Sequence, residues 1–218
     1  MVTRGIGLQE RARGATGGIV VVAAYVSAQM LADITSLKIT LIGPLSIDGG
    51  TFIYPITFTL RDLVHKLLGK RAARILIVAA AVINVVMAAN FAFVAWLPPD
   101  PGWGLQAEFA AILGPVWRIV LASIAAEVVS ELLDTEVYAL WVNRVAKRYS
   151  WARPQWLRVL SSNAASLPVD SLIFSWGAFG GVLPAPTVWS IVLSNVLIKL
   201  VVSLISMPGI YLVPEGRT

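Results

Sequence analysis

Apolar residues in this chain run in stretches long enough to cross a lipid bilayer, and polar residues collect in the gaps between them. A helix rising 1.5 Å per residue needs about 20 mostly apolar residues to cross the hydrocarbon core. Six stretches approach that length, at about 17–36, 49–68, 73–97, 110–133, 163–183 and 187–212. The second is the weakest, with Pro55 inside it and charges near its end, and reads either as a full span or as a broken, re-entrant helix. The intervening segments "GPLSIDGG", "PPDPGWG" and "PAP" carry the Gly/Pro turn chemistry that ends helices. The pattern predicts an all-α integral membrane protein: a bundle of six transmembrane helices over 17–213, with cytoplasmic tails at 1–16 and 214–218.

Composition sharpens this. Of 218 residues, 57% are hydrophobic and 13% charged, and the mean hydropathy is +0.78. A soluble domain carries roughly 25% charged residues, so a soluble fold would leave too much apolar surface in water. The net charge of +5 invites a nucleic-acid reading, but the basic residues sit between apolar stretches, which is the footprint of membrane topology. Arg4, Arg11 and Arg13 lie in the N-terminal tail; Arg61, Lys66, Lys70, Arg71 and Arg74 in 61–74; Arg144, Lys147, Arg148, Arg153 and Arg158 in 144–158. The segments 98–108 and 184–186 have none. Six spans with both termini inside place all three groups on the cytoplasmic face of the cell (inner) membrane. The basic N-terminus precedes no convincing small-residue cleavage site and reads as a tail before a retained first helix. With no cysteine and one histidine, His65, a metal centre is not expected. Nor does any motif call for a cofactor.

Ionisable groups inside spans are costly, about 2.5–3.5 kcal/mol each on insertion scales, and usually face a bundle interior or a water-filled cavity. Here they are Asp33, Asp62, Arg118, Glu127, Glu131, Asp134, Asp170 and Lys199, with Asn84, Asn90, Asn163 and Asn195 as neutral companions. Glu127, Glu131 and Asp134 share one helix face, where Arg118, Arg158 or Lys199 would offset their repulsion. Each has a bland reading too: Asp134 solvated at the helix end, Arg118 reaching the headgroups, Asp170 in a structural ion pair with Lys199 or Arg158. Two stretches echo each other. "SELLDTEVY" (130–138) and "SLPVDSLIF" (166–174) place Ser130 and Ser166 one turn before Asp134 and Asp170. Such an echo raises an internal repeat, and transporters often bind substrate between related halves.

Five motifs in order carry a wider resemblance: "AQMLADITSLKIT", "YPITFTLRDLVHKLLGKRAAR", "ASIAAEVVSELLDTEVY", "WLRVLSSNAASLPVDSLIF" with its following "AFGG", and "SNVLIKLVVSLISMPGIYL". Together the chain resembles the queuosine precursor transporter family, also called the vitamin uptake transporter family, from about residue 20 to 213. Pro55, Thr57, Phe58, Asp62, Gly69, Ala73 and Arg74 match its aromatic-Pro-x-Thr-Phe…Asp…Gly…Ala-Arg motif. The chain departs from the pattern at Asp33 (asparagine expected), Lys66 (glutamate), Glu131 and Leu167 (glutamines) and Met207 (threonine).

The resemblance implies an importer of 7-deazaguanine precursors of queuosine, and not an enzyme. It directs attention to Asp170, Glu131, Glu127, Asn163, Lys199 and Ser166 as cavity-lining substrate contacts. Asp62, Arg158, Asp134 and Arg74 are then gating or structural polar groups at the cytoplasmic face. A related vitamin-like or nucleobase-like substrate is the alternative. No G-x-x-x-x-G-K-[ST] sequence occurs, so energy comes from a gradient, from downstream metabolism, or from a partner ATPase for which this chain is the substrate-binding subunit. A homo-oligomer is also open. The rival classes are an intramembrane enzyme, poorly served by spans that lack histidine, and a purely structural membrane protein.

Overall fold

The computed structural model describes the backbone of residues 2–149, 151 and 154–212; the side chains of residues 1–16, 58, 62, 65–67, 70, 131, 135, 138, 155–156, 158–159 and 206–212 lie outside that description. Helix α1 is Val2–Thr35 and continues back through the predicted tail. Strands β1 (Ile39–Ile42) and β2 (Leu45–Asp48) follow, then a 3-10 turn at Gly49–Phe52 and helix α2 at Tyr54–Leu68. Helix α3 is Lys70–Trp96, α4 Gln106–Leu113 and α5 Val116–Leu140, the last running through a π-helical turn at Trp141–Val145 into the single turn α6, Ala146–Arg148. Helices α7 (Gln155–Phe179) and α8 (Ala185–Leu212) complete the chain.

Among the described residues, four stretches are long and apolar enough to cross a membrane: Gly17–Thr35, Arg71–Trp96, Gln106–Asp134 and Ala185–Ile205. The other two predicted spans are helical but differ in kind. Helix α2 has 15 residues, about 22 Å at 1.5 Å per residue, short of the roughly 30 Å hydrocarbon core. Helix α7 is long enough at 25 residues, but Ser161, Ser162, Asn163, Ser166, Asp170, Ser171 and Ser175 lower its hydropathy. The polarity is inside out. Ile75, Val78, Val82 and Val86 on α3 are exposed, whereas Asp33, Asp48, Asp170, Asn84, Asn195 and Lys199 are buried. Such a surface suits lipid, where only the interior can satisfy polar groups.

The fold is mostly helical, as the pattern predicts, but the stretch around "GPLSIDGG" is more than a breaker and carries a short β-hairpin. Ile39–Ile42 and Leu45–Asp48 pair antiparallel in the register Ile39↔Asp48 to Ile42↔Leu45. β-Branched Ile39, Thr40 and Ile42 favour the strand, and Gly43, at φ +58°, supplies the left-handed conformation a two-residue loop needs. The hairpin is held to α8 by Ser46 N–H donating to Ser190 Oγ (2.8 Å) and Ser194 Oγ donating to the Ser46 carbonyl (2.9 Å). The fourth predicted span is also divided, because Pro115 has no N–H to continue the helix and Gly114 runs so close to the Ala110 carbonyl that a Cβ there would lie 2.4 Å from its oxygen.

Helices α5 and α7 form the most extensive helix pair. A Cβ on Gly177 would lie 2.8 Å from Ala122 Cβ, so glycine permits the close approach that small residues give helices in lipid. Arg118 of α5 locks the pair. Its Nε donates to the Gly177 carbonyl at 2.7 Å and its guanidinium also reaches the Gly180 carbonyl, so a cation meets the negative C-terminal end of α7. Arg118 therefore does not face the acidic row of its own helix.

Candidate functional site

The core of the site is a buried ion pair. Lys199 on α8 donates to Asp170 on α7, and its ammonium stands 4.9 Å from the centre of the Tyr54 ring, within cation–π range. Both charged residues are only 7% exposed. Asp170 Oδ1 also lies 3.3 Å from Ser130 Oγ on α5. The echo seen in the sequence becomes a contact here. Ser130 reaches Asp170 while Ser166 reaches Asp134, also at 3.3 Å, so the two Ser-x-x-x-Asp segments clasp each other across the antiparallel pair.

A second cluster closes the site from the hairpin side. Asp48, at the end of β2, caps the 3-10 turn: its carboxylate accepts from Ser36 Oγ (2.8 Å), Thr51 N (3.2 Å) and Thr51 Oγ1 (2.8 Å). Thr51 Oγ1 also meets the side-chain amide of Asn195 on α8. A hydroxyl has one proton to give. The Thr51 hydroxyl therefore shares that proton between two acceptors, Asp48 Oδ2 and Asn195 Oδ1. Gly50 makes the turn possible, since a Cβ there would lie 2.0 Å from Ser36 Oγ and 2.5 Å from the Ala32 carbonyl oxygen.

These groups wall a cavity of about 370 Å³, part of it open to solvent, bounded by Asp33, Asp48, Tyr54, Asp170, Asn195 and Lys199 with Phe174 at one side. A smaller space of about 260 Å³ adjoins it, walled by Gln29, Asp33, Asn84, Ser123 and Glu127 among apolar residues. Asp33 and Ser123 belong to both walls. Asn84 Nδ2 donates to Asp33 Oδ2 at 2.8 Å.

The predicted residues divide accordingly. Asp170 and Lys199 line the main cavity together, so the structural ion pair and the cavity role are one arrangement. Glu127 lies instead on the smaller cavity. Ser166 is buried but turned to Asp134, and Asn163 donates to Ser203 Oγ on α8; neither is in the main cavity's wall. Arg74 is exposed. The side chains of Glu131, Asp62 and Arg158 lie outside the described residues. Sequence reasoning passed over Asp48, Ser36, Thr51 and Tyr54 as site residues. The signal for Asp48 was an aspartate directly before Gly49-Gly50-Thr51, a cap-and-turn pattern placed in a segment read only as a breaker. Asp33 and Asn195 were noted as intramembrane polar groups but not placed at the site.

The fold and site together define a helical membrane protein with a polar, ion-paired cavity in its interior, the architecture of a solute-binding membrane domain. A family model described as "Putative vitamin uptake transporter" matches residues 48–213, and the chain belongs to that family. A relative from Bacillus subtilis (strain 168), named "Probable queuosine precursor transporter", is 37% identical over 106 residues, covering 49% of this chain and 44% of the relative. The match thus spans less than half the length of that protein. No solved structure matches this chain. Both names describe transporters rather than enzymes, in agreement with the reading of the residues.

Proposed function

We propose that this protein imports a small planar heterocycle across the cell (inner) membrane, and that the substrate is a 7-deazaguanine precursor of queuosine such as 7-cyano- or 7-aminomethyl-7-deazaguanine. The observation that carries the reading is the Asp170–Lys199 pair beside Tyr54 and Phe174 in the main cavity. A guanine-like edge presents N–H donors next to a carbonyl acceptor. A carboxylate and an ammonium side by side complement that edge, and the aromatic rings offer faces for the planar ring system. A buried site of this kind rejects ligands that leave its polar groups unpaired. Asn195 and Asp48 complete the wall from α8 and the hairpin. The name of the Bacillus subtilis relative points to the same substrate class.

In this reading α2 and α7 complete a six-helix bundle with both termini inside, and the basic segments 61–74 and 144–158 lie at the cytoplasmic face. Asp62, Arg74 and Arg158 are there to gate the cavity or to lock helix ends. Asp134, held by Ser166, fastens α5 to α7, and Glu131 of the same helix is proposed as a substrate contact.

The test is rescue of tRNA queuosine in a host that depends on supplied 7-cyano-7-deazaguanine and lacks an importer of its own. The wild-type chain restores the modification. Asp170→Asn, expressed to the same level, loses at least tenfold in uptake. Normal membrane expression with no rescue, together with no thermal shift of the purified protein by deazaguanines, overturns the substrate and leaves a transporter of a different small molecule.

A further inference from the structure

The hairpin and its 3-10 turn cover the main cavity at one end of the bundle. Asp48 and Thr51, which they contribute to the wall, are 1% and 4% exposed, and Asn195 facing them from α8 is 2% exposed. Helix α2 runs from this turn toward the basic segment 61–74, so the hairpin lies at the end of α2 away from those cations. The two sides of this cover are held differently. Toward α1 it is seated backbone against backbone. A Cβ on Gly49 would lie 2.5 Å from the Thr35 carbonyl oxygen, and one on Gly50 2.5 Å from that of Ala32. Ser36 Oγ ties Asp48 to the same end of α1. Toward α8 the polar contacts run through side chains. Ser46 turns both its backbone groups that way, its N–H to Ser190 Oγ and its carbonyl to Ser194 Oγ, and the Thr51 hydroxyl reaches Asn195. Ile39 adds a half-buried apolar contact with the cluster that holds Val188 and Ile191. Water replaces a hydroxyl as partner of a backbone group at little loss, whereas the glycine seat on α1 has no room for it. At an aqueous face, the α8 side is therefore the one that parts. Thr51 and Asn195 belong both to this seam and to the cavity wall, so parting there opens the cavity directly.

We propose that residues 39–52 form the outward gate of the main cavity, latched to α8 through Ser190, Ser194 and Asn195, and that substrate enters when this latch parts while the turn stays seated on α1. The gate rests on the transport reading above, which puts the basic segments at the cytoplasmic face and the hairpin at the outer mouth. Ser46, Ser190 and Ser194 are not in the cavity wall, so they hold the gate without touching what it admits.

The chain has no cysteine, so introduced thiols report without background. Ser194→Cys places a thiol under the hairpin, at a position 1% exposed. In right-side-out membrane vesicles a membrane-impermeant maleimide is expected to label it, and adding Ser190→Ala is expected to raise the rate roughly 2–10-fold, the shift in a local opening equilibrium that one hydrogen bond makes. In the purified protein the same Ser190→Ala change leaves the labelling of Val64→Cys, buried among α1 and α3, unaltered. A second arm bridges Ser46→Cys to Ser190→Cys with a short bis-methanethiosulfonate, the bridge verified by mass. Bridging is expected to stop uptake of 7-cyano-7-deazaguanine and a reductant to restore it, while each single cysteine variant treated alike still transports. Labelling at position 194 that responds to Ser190→Ala, in a protein that takes up no deazaguanine at all, upholds the gate and sinks the substrate reading. Uptake that persists in the bridged protein overturns the gate and leaves the substrate reading standing. Labelling at 194 from inside-out vesicles alone, or an equal acceleration at position 64, overturns it as well.

Discussion

Removing one partner of the Asp170–Lys199 pair tests how the interior of this protein is balanced. In Lys199→Met the aspartate keeps its burial and loses its cation. Its remaining donor among the described contacts is Ser130, at a long 3.3 Å. Breaking a buried pair from one side costs about 3–5 kcal/mol, most of it the cost of the stranded charge. The cation–π contact with Tyr54 at 4.9 Å goes too, worth about 1–2 kcal/mol at a desolvated site. At roughly 2–4 °C per kcal/mol for a chain of this size, the melting midpoint in detergent falls by about 8–28 °C. Asp170→Asn strands the ammonium but leaves it over the Tyr54 ring, so its loss is smaller. The double variant, with no charge left in the core, recovers much of the sum, giving a coupling energy of about 2–3 kcal/mol. The reversed pair, Asp170→Lys with Lys199→Asp, regains stability but not uptake, because the carboxylate and ammonium have exchanged places against the substrate edge. Single variants that each cost under about 1 kcal/mol and add without coupling would refute the claim that this pair is desolvated and mutually dependent.

Two further changes probe how the site is held. Gly50→Ala drives a methyl to within 2.0 Å of Ser36 Oγ and 2.5 Å of a backbone carbonyl, so the 3-10 turn must shift away from α1. A loss of about 1–3 kcal/mol in thermal unfolding, with weaker ligand binding through the displaced Thr51, is expected, and an unchanged midpoint argues against that packing. Arg118→Met removes two charge-assisted bonds to the carbonyls ending α7, for about 2–3 kcal/mol; hydrogen exchange should accelerate at the amides of 177–183 before it does elsewhere in the bundle.

The apolar helices were legible because length and hydropathy are properties of a contiguous segment. Segments 73–97 and 187–212 correspond closely to α3 and α8, and the interruption at Gly114-Pro115 was visible as residues, though not as a break. What escaped was pairing at a distance. Residues 39–48 alternate too briefly for their period to stand out beside strong helical segments, and the Gly43-Pro44 pair that reads as a breaker also makes a hairpin. Asp48 looked like a loop residue; its burial comes from Ser36 and Thr51 folding over it, and nothing local in the sequence encodes the arrival of Asn195 from α8. Asp170 and Lys199 were visible as expensive charges, and cost alone implied that each needed a partner. Which partner depended on how α8 packs against α7. Asn163 and Ser166 show the limit of the argument from cost: their polarity is absorbed by Ser203 and Asp134, so they hold helices together away from the main cavity.

The reciprocal contacts Ser130–Asp170 and Ser166–Asp134 bear on how the cavity is built. Each aspartate receives a hydroxyl from the other helix, so α5 and α7 cannot slide without weakening both contacts at once. The two aspartates nevertheless end in different surroundings. Asp170, one end of the seam, is joined by Lys199 and opens on the main cavity, while Asp134 is half-buried and outside the cavity wall. A symmetric clasp thus presents an asymmetric pair of acids, and the asymmetry comes from α8, which delivers its lysine to one of them. Asp33 adds a further acid on the other side of the cavity, at the position where the family pattern carries an asparagine.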